Sequence, residues 1–276
     1  MSRRIDWPAI LDRASVIVRS YDTSVTLRQL FYRLVSQQVL PNTTTAYKGL
    51  SRVTAEARRA DEFPDLIDRG RAIHRYQQSD SPEDAMARLI GWYRLDRTCG
   101  QDVSLYLGVE KAGMVDQLEH WFGDLGIPIL ALGGYSSQSY VGDVVVDVSG
   151  AERPAVLLYA GDFDPSGEDI DRDFLDRTGC WSKVVRVALS AEQVQEYRLP
   201  VNPGKLTDSR AAGFIARHGA LVQVELDALD PDDLHQLFTD AVDAYWDTSA
   251  YRAVLEQEAR DLPRLQAAAD SLEETS

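Results

Sequence analysis

Residues 155–170 read Ala155-Val156-Leu157-Leu158-Tyr159-Ala160-Gly161-Asp162-Phe163-Asp164-Pro165-Ser166-Gly167-Glu168-Asp169-Ile170. The opening residues are apolar and β-prone. A short apolar run bounded by turn residues reads as a strand buried on both faces, the kind found in parallel sheets. Asp162 and Asp164 then stand where that strand ends. Pro165 follows with φ already set for a first helical turn. In open α/β sheets the carboxyl ends of the strands are where ligands sit. Two carboxylates about 4 Å apart repel by roughly 4 kcal/mol at an effective dielectric of 20. A hard divalent cation removes that cost, and magnesium needs only one or two carboxylates because it keeps several waters.

Other readings of the same stretch compete. Asp164 is equally placed to cap the following helix. The run D-x-D-x-S-G imitates the start of an EF-hand loop, but an EF-hand needs a preceding helix and Glu at position twelve. Here a strand precedes and position twelve is Asp173. A Walker-B reading needs a G-x-x-x-x-G-K-[ST] partner, which the sequence lacks.

Outward from this stretch the pattern alternates. Val103 to Val109 reads as a strand with Glu110 at its end, Ala112 to Phe122 as an amphipathic helix, and Ile127 to Leu132 as a strand running into Gly133-Gly134-Tyr135. Ser136 to Val148 reads as a helix, although Val144-Val145-Val146 also suits a strand. After the central strand come a helix to about Arg177, a strand from Lys183 to Leu189 and a short helix from Ala191 to Tyr197. This β-α-β-α order predicts an α/β fold with a mostly parallel sheet. Leu199 to His218 reads as a loop before a short helix. Val222 to Leu226 reads as a strand carrying Glu225. Pro231 to Tyr245 forms a helix capped by Asp230, and one more helix follows Asp247.

The N-terminal part is different. Helices are expected over residues 8–21, 26–38 and 45–60, with a turn at Asp22-Thr23-Ser24. In the second, Leu27, Leu30, Phe31, Leu34 and Val35 form an apolar stripe at helical spacing. Tyr32 falls roughly 130–140° from its centre, on one face with Arg28 and Ser36. It reads either as a half-exposed surface aromatic or as a hydroxyl presented to solvent beside a guanidinium. In the third helix Lys48, Arg52 and Arg59 share the face opposite Tyr47, Leu50, Val53 and Ala57. Three short helices with a basic third one fit a helix-turn-helix or winged-helix module, with Arg69, Arg71 and Arg75 in a wing. Ser81 caps a connector helix to about Leu95. The expected division is 1–79 for the winged-helix-like DNA-binding domain, 80–101 for the connector, 102–246 for the α/β domain and 247–276 for a C-terminal helix.

Charge follows the same division. The whole chain of 276 residues carries a net −15, yet residues 1–79 hold 13 Lys and Arg against 8 Asp and Glu, a net of +5, and the remainder carries −20. Such asymmetry marks a basic binding module joined to an acidic one. Cys99 and Cys180 lack metal-ligand spacing, and the four histidines are scattered, so no zinc site is expected. Two unpaired cysteines and an N-terminus without an apolar core fit a cytoplasmic protein with no membrane span.

Glu110 at one strand end and Asp162 and Asp164 at another make the E…D-x-D pattern of a Toprim domain. The words G-V-E-K-A-G-M-V-D-Q-L, G-D-F-D-P-S-G-E-D-I and V-Q-V-E-L-D-A-L follow in order, with T-L-R-Q-L-F-Y-R-L upstream. Together, from Thr26 to Leu229, they resemble the A subunit of topoisomerase VI and the related meiotic double-strand-break transesterase. The resemblance implies a winged-helix domain before a Toprim domain. It makes Tyr32 the nucleophile, with Phe31 and Arg28 beside it, and Glu110, Asp162 and Asp164 the Mg2+ ligands. Glu225 falls in the family's K-A-E-I-x-A-L segment. The implied activity is magnesium-dependent cleavage of double-stranded DNA through a phosphotyrosyl link. The implied assembly is a homodimer, the tyrosine of one subunit working with the metal of the other, with a separate ATPase subunit as a further partner. The sequence departs from the family at Gly134-Tyr135-Ser136-Ser137-Gln138, where Gly-Tyr-Pro and Thr-Arg are usual, and at Gln223, where the family has lysine. Two alternatives remain: a hydrolytic Toprim nuclease with a structural Tyr32, and a DNA-binding protein whose acids only cap helices.

Overall fold

A computed structural model describes residues 5–21, 25–67, 76–134, 136–204 and 208–273. The expected turn at 22–24, the wing arginines Arg69, Arg71 and Arg75, and Tyr135 lie outside the described residues.

The chain opens with three helices, α1 (Trp7–Ser20), α2 (Leu27–Ser36) and α3 (Thr44–Arg59). Each starts at a side-chain cap: Asp6 accepts from the Ala9 N–H, Thr26 from Gln29 and Thr43 from Ala46. Thr26 and Gln29 complete a reciprocal capping box, which satisfies two donors that a helix start otherwise leaves open. The α2 stripe buries Leu30, Phe31, Leu34 and Val35 against Ile10, Ala14 and Ile17 of α1 and Ala46, Leu50 and Ala57 of α3. These residues form a core of their own.

Helix α4 (Pro82–Trp92) begins at the expected Ser81 cap, and none of its residues is fully buried. It packs beside the C-terminal helix α11 (Thr248–Glu273). Between them Glu258 is buried and accepts from the Leu95 N–H at 3.0 Å and from Arg97 at 2.8 Å.

The remaining strands and helices are β1 (Ser104–Val109), α5 (Val115–Phe122), β2 (Ile129–Ala131), α6 (Gln138–Gly150), β3 (Ala155–Ala160), α7 (Pro165–Thr178), β4 (Lys183–Ala188), α8 (Ala191–Glu196), β5 (Asn202–Pro203), α9 (Ala211–His218), β6 (Val222–Gln223) and α10 (Pro231–Asp243). Strands β1 to β4 form one sheet in the order β2-β1-β3-β4, every pairing parallel. The α/β reading therefore holds. On β3, Val156, Leu158 and Ala160 face a core shared with α5, α9 and α10, while Ala155, Leu157 and Tyr159 face a second core with α6 and α7. Successive side chains of a strand point to opposite faces, so a strand covered on both sides must be apolar throughout. That is why β3 reads as an unbroken apolar run.

Two stretches resolve differently from a simple propensity reading. Val144-Val145-Val146 is helical, inside α6, where Val141, Val144 and Val148 are the buried positions. Their helical spacing outweighs the β preference of valine. The strand expected over 222–226 is only two residues long, paired antiparallel with β5, and Val224 adds a single bridge to Phe163. Glu225 then leads into a 3₁₀ turn, Leu226–Ala228. No helix among the described residues is long and apolar enough to cross a membrane.

Candidate functional site

The register of the sheet sets the site. Val109 stands opposite Ala160, so Glu110 and Asp162 leave neighbouring strands at the same end. The Glu110 N–H donates to the Ala160 carbonyl at 3.0 Å, and its Oε2 accepts the Asp162 N–H at 2.8 Å. Asp162 is buried; its Oδ1 accepts the Leu226 N–H at 2.7 Å. Asp164 does cap α7, its Oδ1 accepting the Gly167 N–H at 2.7 Å, while Oδ2 accepts from Gln223 at 3.2 Å. Gly167 is required for this tight turn. A Cβ there would stand 2.5 Å from the Asp162 carbonyl oxygen and 3.2 Å from Glu110 Oε2.

At the centre is a residue that the sequence reading passed over. Lys111 directs its Nζ at Asp162 Oδ1 (2.9 Å), Glu225 Oε2 (2.5 Å) and Asp227 Oδ2 (3.3 Å). Its side chain is 17% exposed and that of Asp227 4%. Burial favours a neutral amine, but three carboxylates outweigh it and raise the Lys111 pKa, so it remains an ammonium. Burial works against the Glu225 carboxylate as well, yet Lys111 and Arg28 hold it down at about 2. Asp162 goes the other way. Burial, together with Glu110 and Glu225, lifts it to about 7 despite Lys111. Burial also raises Glu110, with the Asp164 charge adding to the effect.

Helix α2 lies over this group. Arg28 Nη2 donates to Glu225 Oε2 at 2.8 Å, Arg28 Nε stands 3.5 Å from Asp227 Oδ2, and Arg33 pairs with Asp230. Tyr32 is carried in with them. Its ring centroid is 5.6 Å from the Arg28 guanidinium carbon and 5.9 Å from Lys111 Nζ. Burial first, then Glu225, raise the Tyr32 pKa, while Arg28 and Lys111 oppose them. Tyr32 is thus the half-buried tip of a polar junction rather than a ring in open solvent. Beside it opens a cleft of about 300 Å³ lined by Arg28, Phe31, Tyr32, Asn42, Thr43, Thr44 and Tyr47.

The structure brings Tyr32, Arg28, Glu110, Asp162 and Glu225 to one place, with Asp164 at its edge. Lys48, Arg52 and Arg59 are exposed on α3 but do not line the cleft, and Arg52 is paired with Glu56 at 3.1 Å. Lys111, Asp227 and Asp230 are additions. The signals for them were their adjacency to Glu110 and to Glu225, and the acidic run Asp227-Ala228-Leu229-Asp230.

The chemistry of the donors suits a hard cation. Every available side-chain donor of Glu110, Asp162 and Asp164 is a carboxylate oxygen, the ligand type magnesium takes. Burial raises the pKa of both Glu110 and Asp162 despite the nearby Lys111 ammonium, and a bound divalent cation would favour their charged forms. Among the described residues no group of three His, Cys, Asp or Glu is already gathered as an ion cage. No protein-family model matches the chain, and no curated protein matches it either.

Proposed function

We propose that the chain is a DNA-cleaving transesterase in which the Tyr32 hydroxyl attacks a backbone phosphate, in the manner of a topoisomerase VI A subunit. On this reading α1–α3 serve as a winged-helix-like DNA-binding part and the parallel sheet as a Toprim domain. The observation that carries it is the meeting of Tyr32 with the acidic end of the sheet: the ring lies 5.6 Å from the Arg28 guanidinium carbon and 5.9 Å from Lys111 Nζ, and both cations bond Glu225 Oε2. A tyrosine used only for packing has no need of a site with two cations and three carboxylates around it.

The residues divide the work. A phenol has an ordinary pKa near 10 and is a weak nucleophile at pH 7. Arg28 and Lys111 oppose the upward shift that burial gives it. The Arg28 guanidinium, half exposed at the cleft, offers the phosphate a fork of donors. Glu110 and Asp162, with Asp164 beside them, would hold Mg2+. When bound, that ion would supply charge stabilisation for the phosphate and the departing oxygen. Double-stranded DNA is the substrate on this reading. A homodimer, a separate ATPase subunit and a cytoplasmic setting belong to the same proposal.

The test is Tyr32→Phe, assayed for covalent protein–DNA complexes after denaturation, with and without magnesium. Loss of both the adduct and the cut, with DNA binding kept, is the expected result. Cleavage retained by a folded Tyr32→Phe protein would instead identify a hydrolytic nuclease, in which Asp162→Asn alone is inactive.

A further inference from the structure

We propose that the acidic turn at residues 225–230 stands in for DNA phosphate: it covers Arg28 and Arg33, the cations of α2, and a duplex backbone must displace it to reach Tyr32. This rests on the tyrosine-transfer reading above and adds a control to that site. The contact between α2 and its own sheet edge is then the closed form, and Arg33 becomes a DNA-binding residue.

Three observations support this. First, the turn presents a row of charge to α2 as a nucleic-acid backbone would. Residues 225–233 hold five acids and no basic residue. Three of those acids take up the arginines of α2. Arg28 Nη2 stands 2.8 Å from Glu225 Oε2, Arg28 Nε stands 3.5 Å from Asp227 Oδ2, and Arg33 pairs with Asp230. A guanidinium fork that fits carboxylate oxygens fits phosphate oxygens as well. Second, the two arginines flank the tyrosine. Arg28 lies one turn before Tyr32 and Arg33 directly after it. The two are about 7.5 Å apart along the helix axis, so a backbone seated on both passes Tyr32. Arg28 and Tyr32 also line the cleft of about 300 Å³, so a phosphate entering there meets Arg28 where Glu225 now holds it. Third, release strands little charge. Glu225 and Asp227 keep Lys111 Nζ, at 2.5 Å and 3.3 Å. Asp230 gives up Arg33, but its side chain is 27% exposed to water, and its Oδ1 goes on accepting the Asp232 N–H at 3.2 Å. Ion pairs open to solvent hold weakly and are screened by salt, so they yield to a polyanion.

The step exchanges ion pairs and changes no covalent bond: arginine–carboxylate pairs open and arginine–phosphate pairs form. It sets a threshold. A phosphate that meets one arginine gains little, because the other pair still holds α2 down. A duplex that engages both, together with the exposed Lys48 and Arg59 of α3, replaces the whole set at once. A homodimer in which Tyr32 serves a partner's acids likewise needs α2 released from its own.

The test is binding of the full chain to a labelled DNA duplex by fluorescence anisotropy, without magnesium. Asp230→Asn keeps a capping side chain at the start of α10 but removes its charge. Asp232→Asn makes the same change in net charge two residues on, at an exposed position. Asp230→Asn should bind about two- to fivefold tighter than wild type, the span that release of one solvent-accessible ion pair allows. Asp232→Asn should bind as wild type does. Adding Asp230→Asn to Arg33→Gln should bring no gain over Arg33→Gln alone. The inference is overturned if Asp230→Asn binds no tighter, if Asp232→Asn gains as much, or if the gain persists beside Arg33→Gln; the last two results would mean that net charge alone is at work. If Asp230→Asn melts below wild type, Asp230→Ser, which also caps, takes its place. No duplex binding by any of these proteins overturns it too. Covalent adduct with magnesium is scored separately on wild type. Its absence beside the expected pattern of affinities removes the tyrosine-transfer reading and leaves the covered DNA-binding face of α2 standing.

Discussion

The Arg28 guanidinium donates to the Glu225 carboxylate at 2.8 Å, joining residues 197 positions apart in the sequence. One side chain comes from the first turn of α2, the other from the loop between β6 and α10. The contact places Tyr32, one helical turn after Arg28, over the carboxyl end of the sheet.

Arg28→Ala separates catalysis from stability. The Arg28 side chain is 53% exposed, so its ion pairs contribute only about 0–1 kcal/mol to folding. If it holds the phosphate, its loss lowers the rate of adduct formation by a factor on the order of 10². Arg28→Lys keeps the charge without the fork and recovers only part of that. A thermal melt alongside a quenched adduct time course measures both. Equal rates for Arg28→Ala and wild type would remove Arg28 from the site.

Lys111→Met behaves in the opposite way. It leaves Asp162, Glu225 and Asp227 facing one another without their shared ammonium. Removing one partner of a buried ion pair costs about 3–5 kcal/mol, and denaturant unfolding should show a loss of that order. Adding Asp227→Asn removes one of the stranded charges and should restore part of it. A double variant no more stable than the single one would mean that the carboxylates do not depend on Lys111.

Two acids give the stability opposite pH dependences. Glu225 is held at about 2, below its usual 4.5. Its contribution is present above about pH 4.5 and is lost as pH falls towards 2. Asp162 is raised from 3.8 to about 7. The folded chain then binds more protons than the unfolded one between those values, so stability declines as pH rises from about 4 to 7. Melting temperatures from pH 3 to 8 should therefore decline less between pH 4 and 7 for Asp162→Asn than for wild type. Glu225→Gln should lose less than wild type below pH 4.5. Parallel curves for all three proteins would contradict both assignments.

DNA binding should be salt-dependent through the exposed face of α3. Removing a cation that neutralises one phosphate flattens the plot of log affinity against log salt by about one unit. Lys48→Ala and Arg59→Ala should each show this in a fluorescence titration. Arg52→Ala should show less, because Arg52 is already paired with Glu56 at 3.1 Å. Unchanged slopes for Lys48→Ala and Arg59→Ala would place the DNA elsewhere.

The sequence by itself determined the local chemistry of this protein. The apolar run 155–160 specified a strand covered on both faces, because the two-residue period of a strand leaves no polar position there. Thr26, Ser81, Asp164 and Asp230 announced their helices, since an oxygen side chain at a helix start satisfies donors that have no partner inside the helix. The order of strands and helices fixed the α/β class. What Tyr32 faces was decided only by the tertiary structure. Periodicity places a residue relative to its own helix, and Tyr32 falls off the apolar stripe whether solvent or a carboxylate lies beyond it. The sheet register brings Glu110 beside Asp162, and the return of the chain through Val224 to Phe163 brings Glu225 and Asp227 to the same edge. Lys111 becomes their common cation because burial leaves those carboxylates little water to share their charge with. Such a meeting of distant charges has no period and no local signature. It exists only once α2 is seated on the acidic turn after β6.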